Sequence, residues 1–147
     1  MSSSSPTKVL IVEDDDDLGR FVVDIATDHG YHATHVADAL SGIRLLPSEK
    51  FELLITDIRM PGMDGIELIA RAKEHDPFLA IIAITAFGSV ETGMRALRVG
   101  ASDYLSKPFR SDELSSRMRR ALERRARDIE HARLQRQVEE VLRRGKS

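Results

Sequence analysis

Short apolar runs rich in β-branched residues alternate along this chain with segments whose apolar residues recur every three or four positions. The runs are typical of buried strands and the longer segments of helices. The predicted strands are residues 9–12, 31–36, 51–56, 80–84 and 103–106. The first predicted helix lies between Asp15 or Asp16 and Gly30, and the others cover residues 38–46, 65–74, 90–99 and 111–142. Strict alternation predicts an α/β fold, with a five-stranded parallel sheet, five helices on its two faces and an extended last helix.

Residues that can carry chemistry follow four of the five predicted strands. They are Glu13, Asp14, Asp57, Thr85, Ala86 and Lys107. In an open sheet, ligands bind outside the carboxyl ends of the strands, where the strand order reverses. We expect the flavodoxin-like order 2-1-3-4-5, which puts that point between the first and third strands. Glu13, Asp14 and Asp57 should then converge, with Thr85 and Lys107 alongside.

The convergence of three carboxylates indicates a cation and phosphoryl chemistry. Carboxylates in one crevice repel one another, and a bound divalent cation removes that cost. An all-oxygen ligand set favours Mg²⁺, or Mn²⁺, over zinc. In phosphoryl transfer a carboxylate can attack in line while a cation neutralises charge on the equatorial oxygens. Lys107 would add a compact positive charge, and the Thr85 hydroxyl and the Ala86 amide would hold a further oxygen.

Four stretches at the strand ends form a combined signature. They are VLIVED (9–14), LITDIRMPGMDG (54–65), IAITA (82–86) and GASDYLSKPF (100–109). With these motifs in this order, the chain resembles the receiver domains of two-component response regulators, which share the fold of the chemotaxis regulators. The resemblance covers residues 8–122. Each motif alone is a modest signal, and the four together are a strong one.

The resemblance implies a metal-dependent phosphorylation site. Asp57 would accept a phosphoryl group from the phosphohistidine of a sensor histidine kinase or a phosphotransfer protein. Asp14 would bind Mg²⁺ directly and Glu13 through water. The backbone carbonyl of Arg59 would complete the protein ligands, together with Asp57.

The resemblance also implies a switch. Thr85, the Ala86 amide and Lys107 would bind the phosphoryl oxygens, and Tyr104 would change rotamer as Thr85 moves. The surface of helix four, strand five and helix five would then signal to an output domain or partner, or pair two copies of the chain. Such a protein is not an enzyme beyond its own phosphorylation and dephosphorylation. A DNA-binding output is the commonest arrangement in this family, but no helix-turn-helix unit is visible in this chain, so we expect it not to bind nucleic acid directly.

Alternative interpretations remain for the same residues. Taken singly, each could be a helix cap, a turn residue, a strand residue or a loop lysine. A phosphatase of the haloacid-dehalogenase type also forms an aspartyl phosphate, but it is expected to carry a second Asp where this chain has Arg59. A pseudo-receiver would use the fold as a scaffold without phosphorylation, and the complete polar set argues against it. No P-loop or GxGxxG motif points to a nucleotide enzyme.

The charge distribution separates the C-terminal segment from the body. Residues 1–109 hold 17 acidic and 10 basic residues, whereas residues 110–147 hold 7 acidic and 12 basic residues. We expect a disordered N-terminus at residues 1–7, a receiver domain at 8–122 and a helical tail or linker at 123–147. A heptad pattern in the tail allows a coiled coil but puts Arg125 at a core position. A solvated linker helix, or a basic face for an acidic partner or nucleic acid, fits the tail equally well.

Other features restrict the class of protein. The chain has no cysteine, which suits a reducing cytoplasm and excludes disulfides. The N-terminus lacks the basic start and apolar core of a signal peptide, and no apolar run approaches the ~20 residues of a membrane span. We therefore expect a cytoplasmic protein without membrane contact. The histidines form no metal-binding pattern, and we expect His32 and His35 to face solvent or lie at the sheet edge.

Overall fold

A computed structural model of the chain describes residues 5–60 and 62–145, and all five strands in it are parallel. The strands are β1 (Lys8–Val12), β2 (His32–Val36), β3 (Leu53–Asp57), β4 (Ala80–Thr85) and β5 (Asp103–Ser106). The helices are α1 (Asp16–Asp28), α2 (Ala39–Leu45), α3 (Gly65–His75), α4 (Val90–Arg98) and α5 (Ser111–Arg144), with a 3₁₀ turn at Leu46–Ser48. The sheet order is β2-β1-β3-β4-β5. The predicted fold class and strand order are therefore confirmed.

The core has two halves because successive side chains of a strand point to opposite faces of the sheet. Leu10, Leu54 and Ile81 lie on the face that α2, α3 and α4 cover. Ile11 and Ile55 lie on the opposite face with apolar side chains of α1 and α5. Every residue of β3 and β4 is buried, which explains why these strands have near-continuous apolar sequences.

Aspartates cap the first three helices, α1, α2 and α3, at the carboxyl edge of the sheet. The Asp15 carboxylate accepts hydrogen bonds from the backbone N–H groups of Asp17 and Leu18. Asp38 and Asp64 cap α2 and α3 in the same way. These contacts satisfy N–H groups that a helix leaves without partners in its first turn. The acidic run after β1 thus has two parts: Asp15 caps α1, which leaves Glu13 and Asp14 outside the helix.

The last helix continues far past the body. At 34 residues, α5 is about 50 Å long. Leu114, Met118 and Ala121 are buried against the sheet. Arg125, which the heptad pattern puts at a coiled-coil core position, instead lies against the body, with its Nη1 3.6 Å from Glu52 Oε2. Nearly every later residue of the helix is exposed.

The N-terminal segment, residues 1–7, is described only in part. Residues 1–4 of the predicted disordered segment lie outside the described part of the chain. Within the segment, the Thr7 carbonyl accepts a hydrogen bond from the His32 N–H at 2.8 Å.

In residues 5–60 and 62–145, no helix combines the length and apolar character needed to cross a membrane.

Candidate functional site

Three carboxylates meet at the carboxyl edge of the sheet, between β1 and β3. One oxygen from each of Glu13, Asp14 and Asp57 lies within 4.8 Å of the others. The strand order explains this convergence, because β1 and β3 are adjacent and parallel. Glu13 and Asp57 are only 2% and 5% exposed, whereas Asp14 is open to solvent. The predicted acidic cluster therefore exists as a pocket with two buried members and one accessible member.

Glu13 is the member of the cluster whose negative charge is least favourable in the fold. Burial raises its pKa to about 7; the hydrogen bond from the Asp15 N–H opposes this shift, and the nearby Asp57 charge adds to it. Its Oε1 is buried and makes no hydrogen bond to the described residues. A divalent cation bound to this oxygen set would compensate the charge that the protein leaves unbalanced. Oxygen ligands of this kind fit Mg²⁺ or Mn²⁺.

Lys107 supplies the positive charge of the site. Its Nζ lies 2.6 Å from Asp57 Oδ2 and 3.9 Å from Glu13 Oε1. A hydrogen bond from the Lys107 N–H to the Thr85 carbonyl, 2.8 Å long, anchors the backbone after β5. Burial alone would lower the pKa of Lys107, but the hydrogen bond to Asp57 and the charges of Asp57 and Glu13 leave it raised. The lysine is therefore a fixed cation at neutral pH.

Thr85 ends β4, the strand next to β3 and Asp57, and Ala86 follows it. Thr85 is 1% exposed, and its hydroxyl has no hydrogen-bond partner among the described residues. A buried hydroxyl without a partner is costly in a folded protein. Ala86 follows it at the surface with only a methyl side chain. An oxyanion arriving in the pocket would satisfy the Thr85 hydroxyl.

The loop after β3 holds Asp57 through its backbone. The Arg59 N–H donates to Asp57 Oδ1 at 3.0 Å, while the Arg59 side chain is exposed. Gly65 packs against the start of this loop: a Cβ there would lie 2.4 Å from the Asp57 carbonyl oxygen. The two oxygens of the Asp57 carboxylate are thus held separately, one by the loop amide and one by Lys107.

Tyr104 lies in β5, three residues before Lys107. It is half-buried in β5, and its ring packs directly on Gly93 of α4, where a Cβ would lie 2.5 Å from the ring Cδ2. Arg117 of α5 donates hydrogen bonds to the Tyr104 carbonyl and to Asp103 Oδ1. Tyr104 therefore connects α4, β5 and α5.

The sequence matches a family model described as the response regulator receiver domain, over residues 9–119. This match covers most of the chain and all the residues of the pocket. The chain belongs to the response regulator receiver domain family. The receiver domain described above is thus a module of two-component signalling.

Curated relatives share the receiver domain in proteins of different lengths. The chain is 42% identical over 115 residues to the response regulator receiver protein CpdR from Brucella abortus, a match covering 78% of this chain and 96% of CpdR. It is 37% identical over 119 residues to the transcriptional regulatory protein TctD from Salmonella typhimurium, covering 81% of this chain and 53% of TctD. The chain therefore spans about half the length of TctD.

Solved structures share the architecture of this receiver domain. NtrX from Brucella abortus, crystallised with ADP, superposes with a TM-score of 0.85 at 31% identity, over 88% of this chain and 30% of NtrX. A CheY-like receiver domain protein from Methanospirillum hungatei superposes with a TM-score of 0.80 at 29% identity, over 84% of this chain and 99% of its own.

One residue near the pocket of this receiver domain was missed by sequence reasoning. His32 is exposed as expected, but His35 is half-buried on the edge strand β2, and its Nε2 lies 2.8 Å from the Glu13 carbonyl oxygen. No local pattern marks this contact, because His35 lies in β2 whereas Glu13 follows β1, 22 residues earlier in the chain. Among the described residues, the structure brings Glu13, Asp14, Asp57, Lys107 and the Arg59 backbone together, and the sequence singled out each of them.

Proposed function

We propose that this receiver domain accepts a phosphoryl group on Asp57, from a sensor histidine kinase or a phosphotransfer protein, in a reaction that depends on Mg²⁺. One observation carries the proposal. Asp57 is buried where an acidic pair and a lysine meet, and the adjacent strand β4 ends in Thr85, whose hydroxyl has no partner among the described residues. A carboxylate nucleophile, a cation site and oxyanion donors are the parts that phosphoryl transfer requires.

The contacts of Asp57 support a direct transfer step. A carboxylate oxygen of Asp57 attacks the phosphorus, the P–N bond of the donor phosphohistidine breaks, and its electron pair returns to the imidazole. The Arg59 N–H and Lys107 hold the two carboxylate oxygens and so limit their orientation. Asp57, Asp14, the Arg59 carbonyl and, through water, Glu13 would hold Mg²⁺. The bound metal would neutralise charge on the phosphoryl oxygens.

We propose that Thr85 and Tyr104 convert phosphorylation into a change of surface. The Thr85 hydroxyl and the Ala86 amide would donate to the new phosphoryl oxygens, which draws Thr85 towards the pocket. Movement of Thr85 would alter the space beside Tyr104 and change its rotamer. Since Tyr104 packs on α4 and its carbonyl is held by α5, the α4–β5–α5 surface would carry the signal outward.

Two other functions draw less support. A phosphatase of the haloacid-dehalogenase type needs a general acid two residues after the nucleophile, and Arg59 cannot serve as one. A pseudo-receiver without phosphorylation would have no need of two buried carboxylates, Glu13 and Asp57, of which Glu13 has a raised pKa. We propose that the chain is not an enzyme beyond its own phosphorylation and dephosphorylation.

We propose that the chain acts in the cytoplasm and comprises a receiver domain at residues 8–122 and, at residues 123–147, a tail or linker that is helical as far as Arg144. TctD is named as a transcriptional regulatory protein and FleR from Pseudomonas aeruginosa as a response regulator protein; the matches cover 53% and 23% of their lengths. An output linked to transcription, reached through the tail or through a partner, is consistent with these relatives. Homodimerisation through the α4–β5–α5 surface or a coiled coil of the tail is part of the proposal.

Phosphorylation of the intact chain tests the proposal. Acetyl phosphate or a phosphohistidine donor, with Mg²⁺, should add one phosphate by intact mass, and EDTA should prevent it. The Asp57→Asn variant should gain none. Asp38→Asn, which changes a helix cap outside the pocket, should label normally. Equal labelling of Asp57→Asn and the unmodified chain would show that the nucleophile lies elsewhere.

A further inference from the structure

The peptide group that joins the two acidic residues after β1 is held by a side chain of β2. His35 Nε2 lies 2.8 Å from the Glu13 carbonyl oxygen. A carbonyl oxygen can only accept, so Nε2 carries the hydrogen and donates it. This carbonyl belongs to the Glu13–Asp14 peptide, whose orientation sets the direction in which both carboxylates leave the chain.

The backbone of Glu13 is tied to β2 on both sides. Its N–H donates to the Val36 carbonyl at 3.0 Å, and its carbonyl accepts from His35. The first contact continues the ladder between β1 and β2, whereas the second depends on a side chain. His35 therefore extends the support of β1 by one peptide group, at the point where the chain leaves the sheet and enters the pocket.

The imidazole ring fits its position because α1 has a glycine beneath it. A Cβ on Gly19 would lie 2.3 Å from His35 Cε1 and 2.4 Å from Nε2, closer than any real contact. Gly19 is buried inside a helix, where glycine is unfavourable relative to alanine. The contact supplies a packing reason for this glycine, since any larger residue would push the ring away from the Glu13 carbonyl.

We propose that His35, seated on Gly19, is a positioning residue for the metal-binding pair Glu13 and Asp14. It acts on the affinity for Mg²⁺ by fixing the peptide between the two carboxylates. Groups behind the direct ligands commonly tune metal affinity in this way. The inference rests on the proposed function, because it assumes that the acidic cluster binds Mg²⁺.

Four single variants and the dissociation constant for Mg²⁺, measured by calorimetry on the full chain, test the role of His35. His35→Leu removes the donor, and Gly19→Ala keeps the donor but displaces the ring. Both should weaken Mg²⁺ binding roughly three- to tenfold. His35→Gln can present an amide N–H in a similar place and should stay close to the unmodified chain. His32→Leu, on the exposed part of the same strand, should have no effect.

A double variant separates positioning from general damage to the fold. Gly19→Ala should add no further loss of affinity once His35 is leucine, because both changes break one contact. Gly19→Ala also raises the helix propensity of α1, so a loss of affinity from it would not reflect a weaker helix.

The outcomes distinguish this inference from the proposed function. If the unmodified chain binds no Mg²⁺, the proposed function fails. If it binds Mg²⁺ but His35→Leu and Gly19→Ala bind equally well, only the role of His35 fails. A His35→Gln variant as weak as His35→Leu, or fully additive losses in the double variant, would also overturn that role.

Discussion

Lys107 Nζ lies 2.6 Å from Asp57 Oδ2 and is the cation of a pocket that also contains the buried Glu13. The lysine therefore balances charge in the resting pocket and is in place to contact a phosphoryl group on Asp57. These two roles can be separated, because Mg²⁺ would compensate the carboxylates without Lys107 but would not replace its contact with phosphate.

Lys107→Ala should leave Mg²⁺ affinity unchanged or raised, and weaken the response to phosphorylation. Removing the lysine leaves two buried carboxylates without a compensating cation. Without metal, the free energy of unfolding of the variant should therefore fall by about 1–2 kcal/mol at pH 8. The loss is this small because the lysine is partly exposed to solvent. Calorimetry with Mg²⁺, urea unfolding and amide spectra before and after phosphorylation measure these effects. Lys50→Ala, at an exposed lysine, serves as the control. Normal spectral changes on phosphorylation of Lys107→Ala would contradict the role.

The pH dependence of stability should report Glu13. Its pKa is about 7 in the fold and 4.5 ordinarily, so between these values the folded state binds more protons than the unfolded state. Protonated Glu13 therefore makes its full contribution to the free energy of unfolding below pH 4.5, and this contribution is lost as pH rises through 7. Urea unfolding in EDTA from pH 5 to 8 should show this decline, and Glu13→Gln should flatten it. A Glu13→Gln variant with the same pH slope as the unmodified chain would show that another group is responsible.

The effect of Gly93→Ala on the free energy of unfolding should change sign when the ring of Tyr104 is removed. When Tyr104 is present, the new Cβ would lie 2.5 Å from the tyrosine ring. Such overpacking should lower the free energy of unfolding by about 1–3 kcal/mol. In a Tyr104→Ala background the ring is gone, and the same change should stabilise α4 by up to about 1 kcal/mol through helix propensity. Urea unfolding of the four proteins completes the cycle. Equal effects of Gly93→Ala in both backgrounds would mean that the ring does not rest on Gly93.

The sequence predicted the fold and most of the pocket because both depend on local patterns. Apolar runs identify the strands, and residues next to the runs must lie at the sheet edge. The predictions for Asp57 and Lys107 therefore needed only the strand order. The pattern also indicated that the first helix begins after Asp15 or Asp16, and in the structure Asp15 is the capping residue.

The missed features depend on side chains that meet from distant parts of the chain. His35 contacts Glu13 and Gly19, and neither contact leaves a period in the sequence. Heptad counting considers only one helix and puts Arg125 at a coiled-coil core position. In the structure Arg125 instead contacts Glu52, which precedes β3. Long-range pairs of this kind follow from packing and not from local preference.

The C-terminal part of α5 gives the last prediction. Four large apolar residues on one face of the helix are exposed: Leu134, Val138, Val141 and Leu142. Helical segments without tertiary contacts are marginally stable in water, and pairing of two tails would bury this face. We therefore expect the full chain to sediment as a dimer, and a truncation after Leu122 to sediment as a monomer.

Substitutions within the tail make this test specific to the apolar face. Val138→Glu with Val141→Glu should give a monomer, because two buried like charges oppose pairing. Arg136→Gln changes the opposite face and should leave the dimer intact. Circular dichroism of the monomeric variant should show less helix than the dimer, since the unpaired tail frays. A monomer mass for both the full chain and the truncation would rule dimerisation out, and a dimer that survives both glutamates would assign it to the α4–β5–α5 surface instead.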